Sequence, residues 1–497
     1  MIFSSIQYLL FLPIVVFLYW RTKGSVRVAL VVAASYFFYM SWLPVYGVFL
    51  LALSAITWLL GQGLAKAYKE NQKTTAKVLL TVGLLLNLGC LCYYKYANFF
   101  ILNIIQGSNW LRGLFGASQP QPWDVPILNV VLPLGISFFV FEFVHYLADI
   151  YKGNRPISSF MEFSAFASFF PSQIAGPIKR YQDFQEKLTA PEPWSAPLFF
   201  EGCALIVQGM FKKIAIADPI GGLVFPSFQT MQLLSATDAT IAAIGFVIQV
   251  YCDFSGYTDI GRGSALLLGI RLPENFNLPY LSVDLAEFWR RWHMSLSTWM
   301  RDYVYIPLGG SRGGTWFSSR NLLITMVACG FWHGASWHYL IFGGLHGIGL
   351  IVNRVWKDVL KKSAPLSAIL ETTVGKGLGL FLTMLFITAT DTVFRSPDMP
   401  HAFNMFRSLL NVSAPCTMMP ALFKSGIIQF FSVYFSFWVI LELVSKYPEK
   451  LPWLRDSTQD MRLKFATPVR LASWTAAVIL LFAARPNEAV PFVYFQF

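Results

Sequence analysis

The chain has 497 residues, of which 55% are hydrophobic and 13% charged, against roughly 25% charged in ordinary soluble domains. With a mean hydropathy of +0.53, this excludes a soluble fold. The formal charge of +12 does not indicate nucleic-acid binding, because the Lys and Arg residues sit between apolar runs and form no basic domain. Six scattered cysteines with no CxxC pair indicate neither a disulfide framework nor a zinc site.

The first apolar segment, SSIQYLLFLPIVVFLYW, has no charge before it and RTKGSVR after it, the reverse of a cleavable signal peptide. The N-terminus is therefore expected to face outward. Charge placement continues the alternation, with Arg21 to Arg27 inside, the uncharged SWLPVYG outside and KAYKENQKTTAK inside. Further spans are expected at about 78–105, 127–149, 197–217 and 239–269, two within 321–353, then at 371–390, 426–445 and 470–485. The runs are continuous and lack the alternation of barrel strands, so the predicted fold is an all-α polytopic membrane protein. About eleven or twelve helices form one bundle with no soluble domain.

Two stretches do not read as spans. FASFFPSQIAGPIKRY (167–181) is apolar but carries two prolines and a glycine between basic flanks, which predicts a segment that dips in and returns. Such backbone survives at depth only when buried in protein or lining a cavity. LSVDLAEFWRRWHMSLSTWMRDYVYIPLGGSRGG (281–314) reads as an amphipathic helix and loop at or within the cytoplasmic interface.

CGFWHGASWHYLIFGGLHG (329–347) places His333, His338 and His346 in a run with no charged residue from Asn321 to Asn353. One helix of that length would be about 50 Å long, whereas the hydrocarbon core is about 30 Å thick. A break is expected near GFWHGAS, where Gly330 and Gly334 bracket His333, with two segments meeting inside the membrane. On an unbroken helix His333 stands about 140° from His338 and about 140° the other way from His346, so the three cannot share a metal. His338 and His346 are read as hydrogen-bonded interior residues, and His333, at the break, as functional.

EFWRRWHMSLSTWMRD crowds His293 among acids, bases, aromatics and hydroxyls, with Glu287 spaced to pair with Arg290 or Arg291. An interfacial Trp/Arg anchor fits this stretch equally well. In QVYCDFSGYTDIGRGS, Asp253, Ser255, Tyr257 and Asp259 interrupt an apolar segment. Asp253 either orients a histidine or substrate group, or forms a salt bridge to Arg262 or to the Arg290/Arg291 pair. No dinucleotide fingerprint, Walker loop, GxSxG elbow or HExxH is present. A membrane-buried histidine acting as base or nucleophile remains.

PLGISFF (133–139), AGPIKRY (175–181), GMFKKIAIAD (209–218), YCDFSGYTDIGRG (251–263), FWRRWHMSLSTWMRDYVYIPLGG (288–310), CGFWHGASW (329–337), VFRSPD (393–398) and the closing VYFQF together resemble the membrane-bound O-acyltransferase superfamily. Within it they resemble the branch that O-acetylates bacterial polysaccharides such as alginate. FPSQIAGPI departs from that pattern at Ser172.

The resemblance implies one membrane domain over 1–497, with a catalytic core at about 127–355, peripheral helices at 1–126 and 356–497, and a central funnel or tunnel. It makes His333 the catalytic histidine and His293 its companion. Asp253, Tyr257, Glu287, Arg290, Arg291, Trp292, Ser295 and Trp332 become the expected substrate-binding set, with no metal. The implied donor is acetyl-CoA or an acyl-carrier pantetheine thioester, used as substrate with no bound cofactor. The implied acceptor side is an extracytoplasmic polysaccharide reached through a periplasmic acetyltransferase partner, in a bacterial inner membrane. Peptidoglycan O-acetylation and D-alanyl transfer to teichoic acid are alternatives within the superfamily. A transporter or flippase, or a scaffold for a surface assembly, are the alternatives from other classes.

Overall fold

The computed structural model describes residues 1, 3, 5–114 and 128–420; the spans expected at 426–445 and 470–485, and the closing VYFQF, lie outside the described residues. Helices α1 (Ile6–Arg21), α2 (Gly24–Met40) and α3 (Pro44–Lys69) fall on the first three apolar runs, with the charged stretches between α1 and α2 and after α3 at their ends. The last begins with proline at its first turn, where the missing N–H is harmless, and ends at Lys66 and Lys69. Helix α4 (Lys73–Leu91) passes through a π-helical turn, Cys92–Tyr96, into α5 (Ala97–Leu114).

The next span starts later than its apolar run suggests: α6 covers Ile136–Tyr151, after a left-handed Gly135. Then come α7 (Phe160–Ser168), α8 (Tyr181–Thr189) and α9 (Ala196–Met210), which enters a second π-helical turn, Phe211–Ala217, before α10 (Asp218–Gln229) and α11 (Ala236–Leu266). Pro44–Lys69, Lys73–Leu114, Ala236–Leu266 and Thr373–Arg395 are long and apolar enough to cross a membrane, and Ile6–Arg21 and Gly24–Met40 are shorter apolar helices. The protein is an all-α, multi-pass membrane protein.

Irregular backbone is present where it was expected, within 167–181. Residues 169–180 form no regular helix and are almost wholly buried, with Lys179 paired to Glu142 of α6 at 2.8 Å. Protein surrounds this backbone on all sides, the condition under which it is tolerated at depth. Helices α9 and α11 run antiparallel in close contact because glycines face each other: a Cβ at Gly209 would collide with the carbonyl of Gly256, and one at Gly263 with that of Gly202.

The stretch 281–314 holds two short helices where one was expected: α12 (Leu285–Arg291) and α13 (Met294–Met300), separated by His293 in the left-handed region, with φ 42° and ψ 54°. A non-glycine residue held there is strained and marks a constrained site. The constraint here is burial, since His293 is 0% exposed and packed by the rings of Phe254, Phe276 and Trp332. Asp284 caps α12 by accepting from the Glu287 N–H at 2.9 Å.

The run from Asn321 does break, but into a hairpin and not into two half-helices meeting at mid-depth. Helix α14 (Gly314–His333) ends at extended Gly334, and α15 (Trp337–Lys361) starts after extended Ser336. Gly330 and Gly343 are the reason. A Cβ on the first would enter the Tyr339 carbonyl, and one on the second the Met326 carbonyl, so the helices pack backbone to backbone and each is a full element in itself. Helices α16 (Ala364–Glu371), α17 (Thr373–Arg395) and α18 (Met399–Ser408) complete the described chain.

Candidate active site

His333 is the last residue of α14, where the terminal carbonyls have no intrahelical partner. Lys95, from the π-helical turn after α4, satisfies two of them: its Nζ donates to the carbonyls of Trp332 at 2.7 Å and His333 at 2.9 Å. The Tyr96 hydroxyl donates to that of Phe331 at 3.0 Å. A cation at a helix C-terminus is favourable by charge as well as by hydrogen bonding. A π-helical turn shifts the register of the following residues, which is how an apolar span can aim one lysine sideways.

The His333 ring is packed by aromatic edges, with Trp332 at 4.9 Å, Phe394 at 5.2 Å and Phe342 at 6.1 Å between centroids. His293 lies beside the same indole, 6.1 Å from Trp332, and 4.7 Å from Phe254. Residues 40 positions apart in sequence thus flank one tryptophan.

The polar contacts of His293 define its tautomer. Asn275 Oδ1 accepts from the Ser295 N–H at 3.1 Å and the Ser295 hydroxyl at 2.7 Å, so it is an oxygen acting as acceptor. The His293 Nδ1, 3.3 Å from that oxygen, must then carry its proton. Nε2 is left with a lone pair and has no hydrogen-bond partner among the described residues. Ser295 in turn accepts from the Ile178 N–H at 3.0 Å, which joins the buried loop to this network.

The other expected site residues divide. Glu287 pairs with Arg291 at 2.9 Å, as the spacing predicts. Trp292 stacks on Phe288 at 5.6 Å and Tyr280 at 5.9 Å, forming a wall beside His293. Asp253 does form a salt bridge, but to neither expected partner. Lys213, from the second π-helical turn, reaches it at 2.7 Å and also holds Asp218 at 2.8 Å. Arg262 instead contacts Glu274 at 2.9 Å and Asp259 at 3.8 Å. Tyr257 stacks on Phe3 at 4.4 Å.

His346 accepts from the Trp289 indole N–H at 3.2 Å, and His338 bonds the Ser336 hydroxyl at 2.8 Å through Nδ1. Phe342, one turn before His346 on α15 with ring centroids 4.5 Å apart, is brought by the hairpin against His333, so one ring contacts both histidines. Sequence spacing on one helix had separated these two histidines.

Arg290 does not join Arg291. It lines a cleft of about 370 Å³ with Ala286, Leu322, Leu350, Asn353, Arg354, Lys357, Asp358 and Lys361. Lys357 bridges Asp284 at 2.9 Å and Lys361 bridges Asp358 at 2.9 Å, leaving a net positive lining. Burial acts most strongly on Asp284 and acts upward, but Lys357 and the Glu287 N–H outweigh it and hold this carboxyl below its ordinary range.

Lys95, Asn275, Lys213 and Arg354 were missed in the sequence reading. Three signals were present in hindsight: a lone lysine inside an apolar run, a KK pair preceding an aspartate, and a basic stripe at helical spacing on α15.

Comparison with known proteins agrees with this architecture. The sequence profile of the membrane-bound O-acyltransferase family matches residues 28–390. The chain belongs to the membrane-bound O-acyltransferase family and is an acyltransferase. It is 36% identical over 415 residues to a protein of Azotobacter vinelandii named "Probable alginate O-acetylase AlgI", covering 83% of this chain and 78% of that one. A Pseudomonas putida protein of the same name is 38% identical over 356 residues, 71% of each chain. The peptidoglycan O-acetyltransferase of Helicobacter pylori is 30% identical over 411 residues, 77% of this chain and 73% of the relative.

Proposed function

We propose that the protein moves a short acyl group, acetyl, from a cytoplasmic thioester to a hydroxyl on the extracytoplasmic side, for O-acetylation of a polysaccharide such as alginate. The observation that carries this reading is the pair of buried histidines, His333 and His293, flanking Trp332. The names of the relatives supply the acetyl group and the polysaccharide. A periplasmic acetyltransferase serves as the intermediate partner, since the described residues hold no soluble domain to grip a long glycan.

The chemistry balances without a further reactant. The acceptor O–H attacks the thioester carbonyl as His333 takes its proton, forming the C–O bond. The tetrahedral intermediate then expels the thiolate, which recovers the proton from the imidazolium. Ester and free thiol leave, and the neutral base is restored. His293, with Nδ1–H held by Asn275, offers Nε2 as a hydrogen-bond acceptor to the reacting groups. No step needs a metal or a resident cofactor.

The donor enters through the basic cleft. Phe342, His346, Leu350, Arg354 and Lys357 form one face of α15, which runs from the ring beside His333 to the cations. From His346 to Lys357 the helix rises about 16 Å, at 1.5 Å per residue. A phosphopantetheine arm has thirteen bonds between phosphorus and sulfur, which at the advance of an extended chain span roughly 16 Å. A phosphate held by Arg290, Arg354 and Lys357 therefore sets the thioester level with His346 and Phe342. This orientation puts the cleft in the cytoplasm of a bacterial inner membrane and the N-terminus outside, in keeping with the positive-inside rule.

The test is thioester cleavage by purified full-length protein with labelled acetyl-CoA or acetylated acyl carrier as donor. His333→Ala should lower turnover by about 10² to 10⁴. Undiminished turnover would overturn the assignment of the base, and flux across vesicles without thioester cleavage would indicate a carrier.

A further inference from the structure

The donor path ends at the thioester, and what lies beyond it decides how long an acyl group the site can hold. Phe394, next to last in α17, stands there with 5% of its surface exposed. Among the described residues four rings meet on it: Phe342 at 5.0 Å, Tyr339 at 5.1 Å, His333 at 5.2 Å and Phe246 at 6.5 Å between centroids. The His333 and Tyr339 rings stand steeply to it, at 86° and 70°, which is edge-to-face packing. Tyr339 is itself pinned by the turn before α15, where a Cβ on Gly334 would collide with its ring. Packing this close yields little to an added atom.

The face of α15 that leads from the cleft to Phe342 continues to Tyr339, three residues further on. With the sulfur level with His346 and Phe342, the acyl carbons run toward Tyr339, about 4.5 Å beyond Phe342 at 1.5 Å per residue. An extended chain advances about 1.2 Å per bond. The two carbons of acetyl then reach about 2.4 Å past the sulfur and stop short of Tyr339. The four carbons of butyryl reach about 4.8 Å, the level at which Tyr339 and Phe394 meet.

Helix α17 carries a second ring on the same side. Phe386 packs on His346 at 5.3 Å and lies over Gly349, where a Cβ would meet it. Phe386 therefore sits toward the cleft, beside the arm of the donor, and Phe394 sits past its sulfur. The two rings separate the effect of arm packing from that of acyl length.

We infer that Phe394 is a specificity-determining residue whose ring closes the acyl end of the site and sets the longest group that can be brought to His333. This rests on the donor path proposed above. The two can fail separately, because the assignment of His333 is read on acetyl turnover alone and the length stop on the ratio between donors.

The experiment compares kcat/KM for cleavage of acetyl-, propionyl- and butyryl-CoA, and of the same three groups on the acyl carrier, by full-length protein in detergent. Wild type should lose about tenfold for each added methylene, the usual penalty for overfilling a packed site. Phe394→Ala should cleave the butyryl donor about tenfold or more faster than wild type while its acetyl cleavage falls, a gain that loss of structure does not produce. Phe394→Leu should admit propionyl but not butyryl, and it decides should the alanine variant fail to fold. Phe386→Ala should leave the acetyl-to-butyryl ratio of wild type in place. Equal cleavage of acetyl and butyryl by wild type, an unchanged ratio in the Phe394 variants, or an equal relaxation in Phe386→Ala would each overturn the inference.

Discussion

Asn275 holds the Nδ1 of His293 at 3.3 Å through an oxygen already occupied by two donors from Ser295. The side chain of one loop residue therefore fixes which nitrogen of the histidine carries a proton. Asn275→Leu should remove that control and lower turnover by about tenfold, the size of one hydrogen bond, with donor KM little changed. Asn275→Asp keeps the acceptor and should retain more activity than the leucine variant. Steady-state thioester cleavage distinguishes them.

Lys95 should prove structural and catalytic together. Lys95→Met leaves the carbonyls of Trp332 and His333 uncapped, and hydrogen bonds to a charged group contribute about 1.5–3 kcal/mol each. A lowered thermal midpoint is expected, with a larger fall in turnover than the lost stability alone explains, because the uncapped residue is His333 itself. Tyr96→Phe, which loses only the bond to Phe331, should have a milder effect.

Gly330→Ala introduces a single methyl at the closest approach of α14 and α15. Overpacking of this kind destabilises by about 1–3 kcal/mol, and here the strain falls three residues from His333. Gly344→Ala, with open space around it, is the matched control and should be nearly neutral in a detergent melt.

The cleft gives a kinetic and a pH prediction. Arg354→Gln and Lys357→Gln should raise the donor KM with little change in kcat, and added salt should shrink the difference. Lys357 also bridges Asp284, whose carboxyl is held below its ordinary range. That contribution to stability is complete above the unfolded carboxyl value near 3.9 and is lost as pH falls through the lower folded value. Wild type should therefore be more stable than Asp284→Asn at neutral pH, and the two should converge in acid. Melting curves across pH measure this.

The helical class, the positions of the early helices and the break beside His333 were legible because they follow from local quantities: hydropathy, charge position and helix length against bilayer thickness. Gly334 and the uncharged run were enough to separate His333 from His338. The rest depends on what distant elements bring. Lys95 meets His333 across 238 positions, and Lys213 reaches Asp253 only because a π-helical turn redirects it. The division of 281–314 into two helices at His293 was not legible for a related reason: Asn275, 18 positions away, holds His293 and accepts from the Ser295 N–H where the helix is interrupted. Arg290 and Arg291 are neighbours in sequence and take different partners, which no spacing rule foretells.

The buried loop at 169–180 has a consequence for how the protein is made. Its Ile178 N–H is satisfied by Ser295, a residue synthesised 117 positions later, and its wall includes Gly261 of α11, whose missing Cβ admits the Pro171 carbonyl. Until Gly261 and Ser295 have been synthesised, the loop lacks the groups that surround and satisfy its backbone, and lipid does not tolerate such backbone unprotected. The loop is therefore expected to settle only after α11 and α13 have emerged, so that the first half of the chain completes its packing on the second.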